Sequence, residues 1–365
     1  MASLDIPQQR LLNQRLTANP FDQPADVVDW LVAVQAQDYF GAKWSLGLRL
    51  QNGHDADLDR AFNAGSILRT HMLRPTWHFV TPADIRWLLA LTAPRVQAAN
   101  AAMYRKLELD NATLKRGHKA MTTALHGGQH LTRDELRATL EKAGLAVGTG
   151  QRLAYIVMAA ELDGLICSGP RRGKQFTYAL LEERVPPVAT LQRDEALATL
   201  SRRYFASHGP ATAQDFAKWS GLTSGDAKRG LEMVGAQLRH EALNGAEYWF
   251  SSTATPVKLP APTAYLLSVY DEYIIGYTNR SLIAEPQIAA KLFTMGNALT
   301  AVVVVDGQIV GTWKRTLGKE AVIIEIDYLT RLIKPQLRAV ADATQRYSEF
   351  LERPATVQQV MSLAI

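Results

Sequence analysis

The chain has 365 residues, 47% of them hydrophobic and 21% charged, with a formal charge of +5. That composition excludes collagen, a coiled-coil rod and wholesale disorder. The single cysteine, Cys167, excludes an intramolecular disulfide and any site built on several thiolates.

The opening Met1-Ala2-Ser3-Leu4-Asp5-Ile6 has no basic stretch leading into an apolar run. No apolar run approaches the ~20 residues that span a bilayer. The expectation is a soluble cytoplasmic protein without a membrane partner. The positive excess is concentrated at 111–256, where 18 basic side chains face 14 acidic ones, while 1–110 balance. Solubility and a polyanionic partner both account for it.

In chain order, residues 1–110 predict short helices at Leu11 to Leu16, Asp22 to Val34 and Asp57 to Ala64. Ile67–Met72 and Thr76–Val80 then form a hairpin around Arg74-Pro75. Thr81-Pro82-Ala83-Asp84 reads as the start of a helix, with Thr81 as cap. Residues 111–185 repeat that order. His118 to Leu125 is a helix, and Thr132 with Glu135 makes a capping box for the next, which Gly144 closes. Thr149 or Gly150 precedes an apolar helix over Leu153 to Leu162. Gly164–Ser168 and Gln175–Leu180 then bracket a loop holding Arg171, Arg172 and Lys174. Three cations on a hairpin tip suit phosphate contact, and a solvated loop is the alternative.

The pattern is clearest at 190–256. A helix over Asp194 to Ser207 stops at His208-Gly209-Pro210. Thr212 caps a short helix that Gly221 ends, and Thr223 or Ser224 caps a third. Asn244-Gly245 joins two strand-like runs, a strong hairpin signal. Three helices followed by a hairpin is the order of a winged helix-turn-helix. The tail, 257–365, begins with a linker, Lys258-Leu259-Pro260-Ala261-Pro262. A hairpin follows at Asp306-Gly307, then a strand over Ala321 to Ile326 and a helix over Pro335 to Leu351. The fold class is therefore α+β. Three tandem winged units are joined to a small mixed β-domain, a partial barrel closed by the last helix, around a concave cleft.

No metal site and no cofactor are expected. The histidines lack partners at ligand spacing, and no phosphate-binding glycine loop or nucleophile elbow appears. One pair, Gln35-Ala36-Gln37, has unusual potential. On a regular helix its amides face different ways. They serve one ligand only if the helix breaks there into extended backbone, which the nearby Gly41 permits.

Four segments carry a resemblance: Val34–Gln37 with Trp44–Arg49; Leu68–His78; Asp271–Arg280; and Val305–Arg315. With them the chain resembles the bacterial winged-helix family of AlkZ-like and YcaQ-like proteins, which includes interstrand-crosslink DNA glycosylases. The resemblance implies a monofunctional enzyme hydrolysing glycosidic bonds of alkylated purines in duplex DNA. It also implies a nucleoid-associated location and a Gln-hydrophobic-Gln catalytic motif, which Gln35 and Gln37 match. An N7-alkylated purine is already cationic, so it leaves without the usual acid. A glutamine amide then suffices to hold the attacking water and to face the developing positive charge. Gln37 is assigned to the water and Gln35 to water or sugar orientation. Two helix-end amides bonded to backbone are the alternative.

Asp38 caps a helix or pairs with Lys43, with a general base as the other reading. Lys43, His71, Arg74, Lys314 and Arg315 join the hairpin cations as candidate DNA contacts. Asp271 and Arg280 form a structural ion pair, and Trp44 and Trp313 belong to the core. Three units on one chain already span a duplex, so a monomer is expected. A non-enzymatic DNA-binding regulator and a nucleoside or RNA glycosidase are the competing functions.

Overall fold

The computed structural model describes residues 4–18, 20–148, 150–188, 190–251, 262–293 and 300–361. The candidate cap Thr149, residues Met1-Ala2-Ser3 and the linker residues 258–261 lie outside it. The chain opens with α1 (Ile6–Asn13), whose first turn is capped by the Asp5 side chain at the Gln8 amide. The predicted helix at Leu11 to Leu16 thus begins and ends earlier, because Asp5 and Pro7 supply a start signal. Next, α2 (Pro24–Leu31) stops at Val32, which turns the chain at φ 70°. The predicted continuation to Val34 is replaced by a strand, β1 (Val34–Gln35).

Helices α3 (Tyr39–Gly47) and α4 (Asp55–Ala64) follow, then strands β2 (Leu68–Met72) and β3 (Thr76–Val80). Gly41 lies inside α3, so the helix break falls at Val32 and not beside Gly41. The three strands form a sheet in the order β1-β3-β2, with Gln35 opposite His78. The long α5 (Ile85–Lys106) begins at Ile85 instead of Pro82. The Asp84 carboxylate is drawn to the Trp87 indole and to Arg203.

The middle of the chain matches its local signals closely. After α6 (Asn111–Leu125), which Asp110 caps, come β4 (Leu131–Thr132), α7 (Arg133–Lys142) and α8 (Gln151–Leu162). Thr132 and Glu135 form the predicted capping box. Strands β5 (Ile166–Ser168) and β6 (Thr177–Leu180) complete a sheet ordered β4-β6-β5, and α9 (Leu181–Arg184) leaves it. Next are α10 (Arg193–Ser207), α11 (Ala213–Ser220) and α12 (Ser224–Val234). Capping boxes at Thr212/Asp215 and Thr223/Asp226 start the last two. Strands β7 (Leu238–Leu243) and β8 (Ala246–Ser251) pair through Asn244-Gly245, both at positive φ.

The C-terminal part contains β9 (Ala264–Leu267), α13 (Glu272–Ile275), α14 (Pro286–Phe293) and β10 (Val302–Val305). Then come β11 (Gln308–Leu317), β12 (Val322–Tyr328), α15 (Lys334–Leu351) and β13 (Ala355–Met361). Their sheet runs β13-β12-β11-β10-β9. Strands β9 and β13 are its two ends, and α15 packs against both of them. The helix carries the chain back so that β13 lies parallel to β12 at one edge.

One apolar cluster joins the first and last parts of the chain. Val27, Leu31, Trp44 and Phe62 pack in it with Leu266, Val303, Tyr347 and Phe350. Indole N–H groups of Trp44 and Trp313 donate to the carbonyls of Leu266 (2.6 Å) and Leu267 (2.8 Å). Both rings belong to the core as expected.

A buried ionic contact reinforces that junction. Arg49 donates to both oxygens of Asp271, at 2.9 and 3.0 Å, and neither side chain is exposed. Asp271 therefore pairs with Arg49 and not with the predicted Arg280, whose Nε donates to the Ile274 carbonyl. Burial opposes the Asp271 charge, but Arg49, the Ser45 hydroxyl and the Tyr273 amide outweigh it. They hold the carboxyl below its ordinary range.

Candidate active site

The glutamine segment is built by the break at Val32. A β-branched residue at positive φ is sterically costly. The turn is followed at once by pairing with β3. The Ala36 amide donates to the Trp77 carbonyl at 2.7 Å, continuing the contact past β1, and Gln37 starts the bend into α3. The two amides therefore do not ride on a helix.

Their surroundings differ. Gln35 is 7% exposed, and its Oε1 accepts from the Arg74 guanidinium at 2.8 Å. That bond leaves the Gln35 amide nitrogen as its free donor. Gln37 is exposed, and its Oε1 takes only a long contact, 3.4 Å, from the Trp77 amide.

Distant elements hold Gln35 in place. Its backbone amide donates to Glu272 Oε1 at 3.1 Å. The other oxygen of Glu272 accepts from the Trp219 indole (2.8 Å) and contacts His208 Nε2 (3.3 Å). Arg74 also donates to the Trp219 carbonyl at 2.7 Å. Gly221 makes that approach possible: a Cβ there would stand 1.9 Å from the Leu73 carbonyl oxygen. Reasoning from the sequence missed Glu272, Trp219 and His208. Their only signal was the place of Glu272 in one of the four family-like segments.

His78 stands across from Gln35 and is fully enclosed. Its Nδ1 lies 2.9 Å from the Thr76 carbonyl, and its Nε2 has no partner. Burial and the neighbouring Arg74 cation push its pKa well below the ordinary value, so the ring is neutral. Cys167 is buried too, and burial pushes its thiol up to about 12, which disqualifies it as a nucleophile.

The candidate DNA contacts separate into two groups. Four have their polar groups engaged within the fold. Lys43 is 1% exposed and pairs with Asp55 (2.7 Å) and Asp59 (3.0 Å), not with Asp38. His71 is buried, with Nδ1 2.5 Å from Glu161 and its ring against Trp77. The Arg74 fork is committed to Gln35 and Trp219. Arg171 folds back over Tyr39 and Phe176 and pairs with Asp59.

The other four reach the surface. Arg172 is exposed, though it pairs with Glu135 at 2.7 Å. Lys174 and Lys314 are exposed and make no ion pair among the described residues. Arg315 is half-buried and donates to the Tyr347 hydroxyl. Asp38 sits at the N-cap position of α3 without making a cap hydrogen bond. Among the described residues no cluster of side chains suits a metal ion, and no helix is long and apolar enough to cross a membrane.

Comparison with known proteins points one way. A family model described as DNA glycosylase AlkZ-like matches residues 28–350. An interstrand DNA cross-link repair glycosylase of Streptomyces sahachiroi is 26% identical over 326 residues, which is 82% of this chain and 85% of that protein. The solved structure of the Streptomyces sahachiroi DNA glycosylase AlkZ has the same mixed α+β fold. Its TM-score is 0.81 at 22% identity, covering 98% of this chain and all of that one.

Proposed function

We propose, from the premise that the chain belongs to the AlkZ-like DNA glycosylase family, that it hydrolyses the N-glycosidic bond of N7-alkylated or crosslinked purines in duplex DNA. One observation carries the reading. Gln35-Ala36-Gln37 lies on extended backbone after a strained helix end, with Gln37 open to solvent and Gln35 locked by Arg74.

The roles follow from what each amide has left to offer. Gln37 holds the attacking water through its carbonyl and NH₂. Gln35, whose carbonyl is occupied by Arg74, orients water or sugar with its NH₂. A weak base suffices because the cationic purine leaves as a neutral base, and the sugar bears the developing charge. The chain is read as three winged helix-turn-helix units, at 1–110, 111–185 and 190–256, followed by a C-terminal β-rich part. Duplex DNA is taken in a concave cleft by one protein copy. Lys174 and Lys314, with Arg172 and Arg315, contact phosphates, which position the duplex without reading sequence. A crosslinked base cannot turn far out of the helix, so an open cleft suits it.

The test is incubation with N7-methylguanine duplex and with a crosslinked duplex, followed by alkaline cleavage of abasic sites. Release from either is expected, with Gln37→Ala retaining DNA binding but losing release. No release from both substrates overturns the reading.

A further inference from the structure

Helix α11 carries a charged face that the glutamine chemistry does not use. Asp215 and Lys218 are three residues apart, so they share that face. Asp215 is 2% exposed, and its oxygens are spent inside the fold. Oδ1 accepts from the amide and the hydroxyl of Thr278, both at 2.6 Å. Oδ2 accepts from the Thr212 amide at 2.9 Å and lies 3.9 Å from Arg10. The Thr278 bonds fasten the segment that leads to Arg280 onto the start of α11. One turn on, the end of α11 meets the β2–β3 turn. Arg74 donates to the Trp219 carbonyl at 2.7 Å and reaches the Lys218 carbonyl at 3.4 Å.

Three cations are thereby drawn together. Lys218 is exposed, and its ammonium makes no ion pair among the described residues. Partial burial, then the charges of Arg280 and Arg74, pull its pKa below the ordinary lysine value, with Asp215 opposing them. Glu272, the carboxylate that acts on Arg74, is itself taken by the Gln35 amide, the Trp219 indole and His208. Like charges held close raise the free energy of the fold, and a bound anion lowers it. A lysine in the last turn of a helix suits the helix dipole, but the dipole calls for no neighbouring arginines.

The position of the cluster identifies the anion. The Arg74 guanidinium bridges the Lys218 carbonyl and Gln35 Oε1, the latter at 2.8 Å. A single side chain thus separates Lys218 from the candidate catalytic amides. In a duplex, the anions nearest a reacting sugar are the phosphodiesters on its two sides. An ammonium suits such an oxygen because it acts as a point charge on a flexible stem.

We infer that Lys218, backed by Arg280, holds a phosphodiester that flanks the lesion nucleotide and so presents the reacting sugar to Gln35 and Gln37. The inference rests on the glycosylase reading and adds to it a fixed point for the damaged strand.

The experiment measures binding of the full chain to a duplex carrying 2′-fluorinated N7-methylguanosine, which resists hydrolysis because fluorine destabilises the sugar cation. In two further duplexes a methylphosphonate replaces the phosphodiester on the 5′ or the 3′ side of the lesion, removing one charge. Lys218→Met is expected to weaken binding to the unmodified backbone roughly three- to tenfold and to lower the salt slope by about 0.9. Lys218→Arg retains both. One methylphosphonate duplex is expected to bind the wild type as weakly as Lys218→Met binds the unmodified one. On that duplex Lys218→Met loses nothing more, the mark of a direct pair.

Undiminished binding by Lys218→Met, losses that multiply on both methylphosphonate duplexes, or an equal defect in Lys218→Arg each overturns the inference. Base release from an N7-methylguanine duplex by the wild type is measured alongside. Release with multiplying losses removes the phosphate site and leaves the glycosylase standing. Coupled losses without release support the site and remove the glycosylase.

Discussion

The glutamine segment and the basic hairpin tip at 169–175 look equally functional in sequence, and the fold treats them oppositely. At the hairpin, partners distant in the chain draw a cation inward: Arg171 folds back onto Tyr39 and Asp59, and onto the nearby Phe176. Only Lys174 and the paired Arg172 remain outside. At the glutamines the contacts are long-range, from Arg74, Trp219 and Glu272. Cations written close together do not guarantee a charged surface. Neutral amides gain a defined orientation when distant groups fix them.

The comparison breaks most severely at its support. Asp271→Ala strands the buried Arg49 and is expected to cost about 3–5 kcal/mol, the range for removing one partner of a buried pair. Urea unfolding measures it, and a loss under 1 kcal/mol contradicts the geometry. Gln37→Ala is expected to lower single-turnover base release roughly 100-fold or more, as removal of a water-orienting group does, with unchanged DNA affinity. Arg74→Ala frees the Gln35 amide and is expected to slow release about tenfold while leaving affinity within twofold, since the guanidinium faces inward. A mainly affinity-driven loss would restore Arg74 to phosphate contact.

The enclosed His78 predicts an acid-sensitive fold. Its folded pKa is depressed, so below the unfolded value near 6.5 the unfolded chain gains a proton that the folded one refuses. Stability then falls as pH drops from 7 to 5, and His78→Phe flattens that slope. Unfolding at the two pH values decides it.

The smallest effect sharpens the contrast between the hairpin cations. Lys174→Ala and Lys314→Ala are each expected to weaken duplex binding a few-fold and to reduce the salt slope by about 0.9. Arg171→Ala should leave that slope unchanged and lower Tm instead.

Local chemistry was readable wherever a signal lay within a few residues. The capping box at Thr132, the cap at Thr212, the turns at Asn244-Gly245 and Asp306-Gly307, and the helix over Pro335 to Leu351 depend on such short-range rules. The order of helices and hairpins pointed to the α+β class, and the four family-like segments marked the glutamine pair as catalytic candidates. Edge strands β9 and β13 went unread because their pairing partners supply most of their reason to be strands.

Sequence by itself determined the order of helices and hairpins, the absence of a disulfide within the chain and the candidate amides. The first two follow from spacing and composition, and the amides from the family resemblance. Only the tertiary structure decided that the helix before Gln35 ends at Val32, that Arg74 faces inward and that Lys43 is spent on Asp55 and Asp59. The physical reason is that a polar side chain's role depends on which groups share its desolvated surroundings. Those groups come from parts of the chain more than two hundred residues apart, such as Gln35 and Glu272.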